Sequence, residues 1–445
     1  SVFDERRHFE PGPDVAPVLQ LGSTRVGFLI CEDGWNDDGS DYAANPFQRL
    51  ADAAPDLVVC TNASPSHSGK REQRHQVFGN AAARHRLPVL YVNQVGGHDA
   101  AVYDGGSFAV GPDTGLVWEA ARFAEAVVTL QFENGRFASA DGQPLPPAAA
   151  AGLPTLEFYR QQLVLGLRDY ARRCGFQRAL VGCSGGIDSA LTLALAVQAL
   201  GADNVVGITM PSRFSSAGSV DDSVVLCQNL GIALHTHPIA ELVEVYARQF
   251  EASFGTPLAG LALENVQSRI RGVVLMEYAN THGPLLLTTG NKSEVAVGYC
   301  TLYGDTNGGL NLIGDLYKTE VFDLCRHMNQ QAGRELIPPV IIDKPPSAEL
   351  APGQRDDDSL PPYPVLDAVL KLLIEGERLA PDEYESAHAF VQELQKDEAG
   401  RAVVQRVRRL LATSEHKRHQ AAPILRVRAI AFGRGRQVPI AARYV

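Results

Sequence analysis

An α/β protein in two parts is predicted by three features of the 445-residue sequence. Behind residue 154, short apolar runs alternate with helix-length amphipathic stretches, the pattern of a doubly wound parallel sheet covered on both faces. Ahead of residue 135, short β-rich runs surround one clear helix. Between them, "NGRFASADGQPLPPAAAAGLP" is rich in Gly, Pro and Ala without periodicity, so 136–153 reads as a linker. A chain this long exceeds one ordinary core and calls for separate domains. The expected division is 1–135, the linker, and 154–445.

Taken in order, residues 25–31, 56–61, 88–93, 107–111 and 126–132 are β-branched or apolar runs bounded by turn residues, and read as strands. Residues 72–86 read as a helix. In the rear part, 156–174 is an amphipathic helix, 178–183 a strand, 187–200 a helix and 204–210 a strand. A helix over 219–230, a strand over 233–237, a longer helix over 262–280 and a strand over 284–288 continue the alternation. Ligands of such sheets gather beyond the carboxyl ends of the strands.

Composition narrows the function classes. The chain is 45% apolar and 20% charged with a net charge of −11, which does not invite nucleic acid. The longest apolar stretches, such as 190–200, are broken by Thr and Gln and are too short to span a bilayer. The charged first residues carry no signal-peptide pattern, and a start at Ser1 within "SVFDERRHFEPG" reads as a start inside a domain. Seven cysteines (31, 60, 174, 183, 227, 300 and 325) lack paired or zinc-like spacing, as expected of a reducing cytoplasm. Residues 401–445 hold eleven Lys or Arg and one acid, Glu415, and read either as a solvated face or as a tail that meets phosphates.

"LVGCSGGIDSALTLAL" is the most informative stretch. A buried strand runs into Ser184-Gly185-Gly186-Ile187-Asp188-Ser189 and then a helix. The glycines permit a tight turn and close backbone approach, the helix start offers unpaired N–H groups, and Ser184 and Ser189 add hydroxyls. That is an anion cradle. It lacks the Gly-Lys-Ser/Thr of a Walker A loop and the third glycine of a dinucleotide fingerprint. Ser-Gly-Gly-x-Asp-Ser between strand and helix resembles instead the signature of ATP pyrophosphatases, which cleave ATP between its α and β phosphates. A carboxylate, Asp188, beside a polyphosphate implies an intervening cation, Mg²⁺.

A second set of stretches follows. In "LTTGNKSEVAVGYCTLYGD", Thr289 sits at a strand's carboxyl end and Glu294 at the start of the next helix, placed to share a metal with Asp188. Lys318 in "IGDLYKTEVF" is a cation at a helix start, disfavoured by the dipole unless an anion is present. Asn265 and Arg269 in "LENVQSRIRG" share one helical face.

Together with "PSRFSSAGSVDD", "PPSAELAPGQRDDDSLPPY" and "FGRGRQVPIAARY", these stretches resemble glutamine-dependent NAD synthetases over essentially all of 150–445 and over the front region too. The resemblance implies a Rossmann-like PP-loop domain behind part of a nitrilase-like αββα sandwich. It implies adenylation of the nicotinate carboxylate of deamido-NAD by ATP, then attack by ammonia to give NAD, AMP and pyrophosphate. Carried over by position, Gly182, Cys183, Ser184, Gly185, Gly186, Ile187, Asp188 and Ser189 would hold ATP, with Thr289 and Lys318. Asp188 and Glu294 would bind Mg²⁺, and Asn265, Arg269, Glu294 and Lys417 would meet deamido-NAD. Asp356 to Asp358 reads as a solvated loop over the site. A homo-oligomer through the synthetase domain is expected.

"GFLICEDGW" raises a separate question. A lone Cys at the end of an apolar run is ordinarily core. The resemblance reverses that reading, because Cys31-Glu32-Asp33-Gly34-Trp35 reproduces the family's nucleophile stretch. "NASPSHSGKREQR" matches the segment that holds glutamine, which implies contacts from Ser64 and Lys70. The family's catalytic Glu and Lys lie upstream of "VFDERRHFEPG" and are therefore expected outside this sequence. Two alternatives remain at this point: an ammonia-only NAD synthetase with an inactive front domain, and another PP-loop amidating ligase such as a GMP or asparagine synthetase.

Overall fold

The computed structural model describes residues 7–37, 43–143, 145, 152–351, 353–433 and 435–441. It divides into one unit of residues 1–96 with 102–154 and a second of 97–101 with 155–445. The start of "VFDERRHFEPG", most of 144–151, Arg434 and the last four residues of the tail lie outside the described residues. Among the described residues no helix is long and apolar enough to cross a membrane.

The front unit runs β1 (Val18–Leu21), β2 (Thr24–Ile30), α1 (Pro46–Asp52), β3 (Leu57–Asn62), α2 (Lys70–His85), β4 (Val89–Asn93), β5 (Val95–His98), β6 (Ala101–Asp104), β7 (Phe108–Gly111), β8 (Gly115–Glu119), β9 (Leu130–Glu133) and β10 (Arg136–Ser139). A six-stranded sheet has the order β1-β2-β3-β4-β7-β8. Its centre, β2-β3-β4, is parallel, and β1, β7 and β8 pair antiparallel at its sides. α2 packs on β7 and β8. The core between them is aromatic: Phe78 meets Tyr91 at 4.7 Å between ring centres, and Tyr91 stacks on Phe108 at 4.5 Å.

Two expectations change in this unit. The strand expected over 126–132 begins only at Leu130, and Val127 and Val128 are exposed instead. The expected linker does not begin at 136. Asn134 (φ 52°) and Gly135 (φ 75°) both take left-handed backbone, giving the two-residue turn that joins β9 to β10 as a hairpin.

The rear unit contains α3 (Thr155–Arg173), β11 (Ala179–Gly182), α4 (Ile187–Leu200), β12 (Val205–Thr209), α5 (Ala217–Leu230), β13 (Ala233–Thr236), α6 (Ala240–Phe254), α7 (Gly260–His282), β14 (Leu285–Thr288), α8 (Lys292–Val297), β15 (Leu310–Asn311) and α9 (Lys318–Ala332). Five further helices follow: α10 (Pro339–Asp343), α11 (Tyr363–Ile374), α12 (Pro381–Leu394), α13 (Glu398–Thr413) and α14 (Glu415–Arg418). The sheet is wholly parallel, ordered β13-β12-β11-β14-β15. Leu180, Ile208 and Leu286 pack with Val243 of α6 and Val266 of α7 on one face. α4 and α5 cover β11, β12 and β13, with α3 and α9 layered on α4. α4 is apolar almost all round because neighbours enclose it almost all round. α6, absent from the expectations, is an exposed surface helix in which only Val243 is buried.

A buried ionic cluster ties the later helices to the sheet. Lys292 Nζ, wholly inaccessible, donates to Asp315 (2.8 Å), Glu375 (3.2 Å) and the Ile430 carbonyl (2.6 Å). Arg428 joins it through Glu375 (2.8 Å), Glu383 (2.7 Å) and Glu320. Removing one member leaves the others charged and dry. Lys292→Met should therefore cost about 3–5 kcal/mol of stability, read as a lowered urea midpoint with unchanged slope. A loss below about 1 kcal/mol would show that the cluster does not hold the fold.

Candidate active site

The sheet order sets β11 and β14 side by side at its centre, with their continuations leaving to different helices. That is the point where an open α/β sheet leaves a crevice beyond its strand ends. Gly182–Ser189 follows β11, and Thr289 follows β14. Within the loop, Gly185 takes φ +72°, and a Cβ there would lie 2.2 Å from the Ser219 carbonyl oxygen. Only glycine fits, for conformation and for space. Ser189 Oγ donates to the Gly186 carbonyl (2.9 Å) and accepts from the Ser184 N–H (3.3 Å). Gly186 caps α4 without a side-chain acceptor, so the helix presents its first N–H groups to the crevice.

Three helix starts converge here. Asp188 lies in the first turn of α4, Glu294 in the first turn of α8, and Lys318 opens α9. Lys318 Nζ bridges both carboxylates, at 2.5 Å from Asp188 and 3.0 Å from Glu294, and its side chain is only 2% exposed. Asn291 Nδ2 donates to the other Asp188 oxygen at 2.9 Å. Burial lowers the Lys318 pKa, but Asp188 and Glu294 outweigh burial and leave it raised. Burial pushes the Glu294 carboxyl up to about 8; Lys318 opposes this, while Asp188 and Asp356 add to it.

Asp356 corrects an expectation. Asp357 and Asp358 are exposed as foreseen, but Asp356 is 4% exposed and accepts from Tyr363 (2.8 Å) and Tyr299 (3.3 Å). Burial raises its pKa. One ammonium thus faces three carboxylates.

The crevice opens into a cavity of about 300 Å³. Gly182, Cys183, Ser184, Gly186, Ile187, Asp188 and Ser189 line it, with Thr289, Glu294, Lys318 and Lys417. Gly185 is packed against α5 instead. Lys417 Nζ donates to the carbonyls of Gly298 and Cys300, both at 2.7 Å. Asn265 and Arg269 share a face of α7 as expected, yet neither lines the cavity. Asn265 Oδ1 accepts from Thr301 Oγ1 (2.8 Å) and Arg269 Nε donates to the Leu302 carbonyl (3.2 Å), so they hold the loop behind it. Lining residues that sequence reasoning missed include Arg271, Lys344 and Asp356. Part of the tail's charge is consumed internally: Arg418 and Arg436 pair with Glu415, and Arg428 enters the buried cluster, while Arg401, Arg406, Arg408 and Arg409 are exposed.

The front unit has its own candidate. β2 ends at Ile30 and the chain turns through a single 3₁₀ turn, Cys31–Gly34. Cys31 sits at φ 47°, a left-handed conformation that costs a non-glycine residue about 1–3 kcal/mol and clusters at functional sites. Its side chain is half-buried. Ser64 follows the neighbouring strand β3; its N–H donates to Asn93 Oδ1 (3.0 Å), and its carbonyl and hydroxyl accept from Arg74 (2.8 and 3.2 Å). Lys70 Nζ lies 3.6 Å from the centre of the Trp35 ring, within the Cys31 motif.

Residues 159–421 match the NAD synthase family and residues 1–140 the carbon-nitrogen hydrolase family. A glutamine-dependent NAD(+) synthetase of Synechocystis is 45% identical, covering 99% of this chain and 76% of the relative. That of Rhodobacter capsulatus is 44% identical over 100% of this chain and 78% of its own length. Among solved structures, the glutamine-dependent NAD+ synthetase of Acinetobacter baumannii in complex with ADP aligns at TM-score 0.71 and 36% identity, covering 99% of this chain and 76% of that one. The enzyme of Cytophaga hutchinsonii shares the fold at TM-score 0.74 and 21% identity, over 96% and 73%. With the Cys31 turn in one unit and the Ser184–Ser189 crevice in the other, this chain belongs to the glutamine-dependent NAD(+) synthetase family.

Proposed function

We propose that the chain amidates deamido-NAD to NAD at the expense of ATP, with ammonia released from glutamine at Cys31. The observation that carries the reading is a single cavity holding the Ser184–Ser189 loop, Asp188, Glu294 and Lys318 together. In the first step an oxygen of the nicotinate carboxylate attacks the α-phosphorus of ATP and pyrophosphate departs. The first N–H groups of α4 and the hydroxyls of Ser184 and Ser189 are assigned to the departing charge, with Thr289 and Lys318 on the phosphates. Ammonia then attacks the acyl carbon and AMP leaves. Lys417 is assigned to the dinucleotide, and Asn265 and Arg269 to fixing the 301–302 loop beside it. In the front unit the Cys31 thiolate would attack the glutamine carboxamide, releasing ammonia, with Ser64 and Lys70 positioning the substrate. Homo-oligomerisation through the rear unit belongs to the same proposal, supported by the exposed apolar side chains Leu242, Val245 and Tyr246 of α6.

Asp188 and Glu294 are proposed to hold Mg²⁺. The fit rests on charge and donor type: hard carboxylate oxygens exceed the one ammonium that faces them. Among the described residues no group of three His, Cys, Asp or Glu is arranged to enclose a metal alone. That suits an ion that takes its remaining ligands from water and phosphate. When bound, Mg²⁺ would neutralise polyphosphate charge and orient it for in-line displacement.

Three measurements test these assignments. With deamido-NAD and no nitrogen donor, labelled pyrophosphate should exchange into ATP; ADP and inorganic phosphate as products would defeat the reading. A folded-state Glu294 pKa of about 8, above its ordinary 4.5, stabilises the metal-free fold below pH 4.5 and drains away as pH rises to about 8. The metal-free denaturation midpoint of Glu294→Gln should therefore fall less over that interval than the parent's, and Mg²⁺ should raise the parent's midpoint more at pH 9 than at pH 6. Parallel pH curves for parent and variant would refute the assignment. Finally, in a protein that also carries the family's upstream Glu and Lys, Cys31→Ala should abolish glutamine-supported NAD synthesis and leave ammonium-supported synthesis near the parent rate. Glutamine-supported turnover by that variant would return Cys31 to a core role.

A further inference from the structure

Cys183 and Cys227 are far apart in sequence, yet their side chains meet over Gly207, close enough for each thiol to affect the other's ionisation. Cys183 begins the loop after β11, its N–H bonded to the Ile208 carbonyl of β12 at 2.8 Å, and Cys227 comes from α5, which covers β12. Gly207 makes the meeting possible. A Cβ at that position would lie 3.3 Å from the Cys227 sulfur and 3.7 Å from the Cys183 Cβ, so any larger residue would crowd the pair. Both side chains are 2% exposed, yet Cys183 lines the cavity and Cys227 does not. One thiol therefore faces an entry route and the other stands directly behind it.

We propose that Cys183 and Cys227 form an oxidation site, closing a disulfide behind the Ser184–Ser189 loop when a small hydroperoxide enters the cavity. The Cys183 sulfur attacks one peroxide oxygen; an S–O bond forms, the O–O bond breaks, and water or an alcohol leaves. The Cys227 sulfur then attacks the sulfenic sulfur, its proton passes to the departing hydroxide, and a second water leaves. Two thiols are oxidised to one disulfide and one peroxide is reduced, so electrons and atoms balance.

The order of events follows from access. Cys183 lines the cavity and meets an entering peroxide first, so it is the attacking thiol; Cys227 does not line it and is the resolving one. The lowered Cys183 pKa, with the Cys227 thiol as the leading cause and burial opposing it, is in keeping with that order. The Gly185 N–H bonds the Cys183 sulfur, so drawing that sulfur into a disulfide with α5 takes an acceptor from the turn that shapes the Ser184–Ser189 loop.

The test treats the protein with hydrogen peroxide and maps its peptides without reduction, using the exposed Cys174 as the internal measure of oxidation. A Cys183–Cys227 cross-link is expected. Ammonium-supported NAD synthesis should fall by more than an order of magnitude and return with dithiothreitol, and ATP should slow the loss. That activity arm rests on the ATP reading of the loop; the peptide map does not. Cys227→Ala, with near-parent activity before treatment, should form no cross-link and lose the thiol-reversible component. Oxidised Cys174 without the cross-link, a cross-link that leaves activity unchanged, or parent-like reversible loss in Cys227→Ala would each overturn the proposal. Absence of NAD synthesis before any oxidation would count against the proposed function and not against the thiol pair.

Discussion

Lys318 is the charge on which the rear site depends. It opens α9, where the helix dipole opposes a cation, and it is almost fully withdrawn from water. Its partners make that position tenable. Asp188 and Glu294 occupy the first turns of α4 and α8, where the dipoles favour carboxylates, so each helix start contributes the sign it prefers except the one that must be compensated. With Asp356 added, three carboxylates face one ammonium; burial first, and then Asp188 and Asp356, hold the Glu294 pKa up against Lys318. It is this excess of carboxylates over ammonium on which the proposed Mg²⁺ assignment rests.

The geometry around Lys318 is held from behind by the cluster at Lys292. Lys292 and Glu294 are two residues apart on α8, so one side chain points to the buried cluster while the other reaches the cavity. Asp315 accepts from Lys292 and from the N–H groups of Val427 and Arg428, three residues before Lys318. Displacing either anchor would move a cavity-lining charge. Charged groups of this kind are expensive to bury, and their placement beside the reacting cavity ties the fold's most costly interactions to the position of Glu294 and Lys318.

What could be read in the sequence was local. The strand, loop and helix around Ser184–Ser189 were legible because apolar runs, paired glycines and a helical period coincide within a short span, and the helix bounds 187–200 agree with α4. The α6 helix was legible in principle, since Leu242, Tyr246, Phe250 and Phe254 recur at helical spacing, but that stripe stays largely exposed and only Val243 joins the core. Asn134-Gly135 was read as loop composition although it carries the sharper meaning of a hairpin turn. Asp356 reads in sequence as one of three solvated acids; its bonds to Tyr299, 57 residues back, and Tyr363, seven residues on, show it turned inward instead. Lys292, Glu375 and Arg428 meet across such long separations that no spacing could announce them. The Cys183–Cys227 contact is of that kind too, set by a glycine on a third element.

The two units present chemistry by the same device, with an informative difference. Each ends a central parallel strand in a turn that requires a left-handed residue: Cys31 after β2 at φ 47°, Gly185 after β11 at φ +72°. Glycine takes this conformation without a steric penalty, and its missing Cβ is also what lets the loop lie against Ser219. A cysteine bears a cost of about 1–3 kcal/mol for the same backbone. If Cys31 served only as a small apolar filler, glycine or a relaxed turn would serve at lower cost, because Leu29 and Cys60 already fill the core beneath it. Yet among the described residues Ala54 and six other non-glycine residues bear the same kind of backbone, so conformation alone assigns Cys31 no role. What sets it apart is a sulfur at the end of a central parallel strand, half-open to solvent, and that placement is what the proposed attack on a carboxamide rests on.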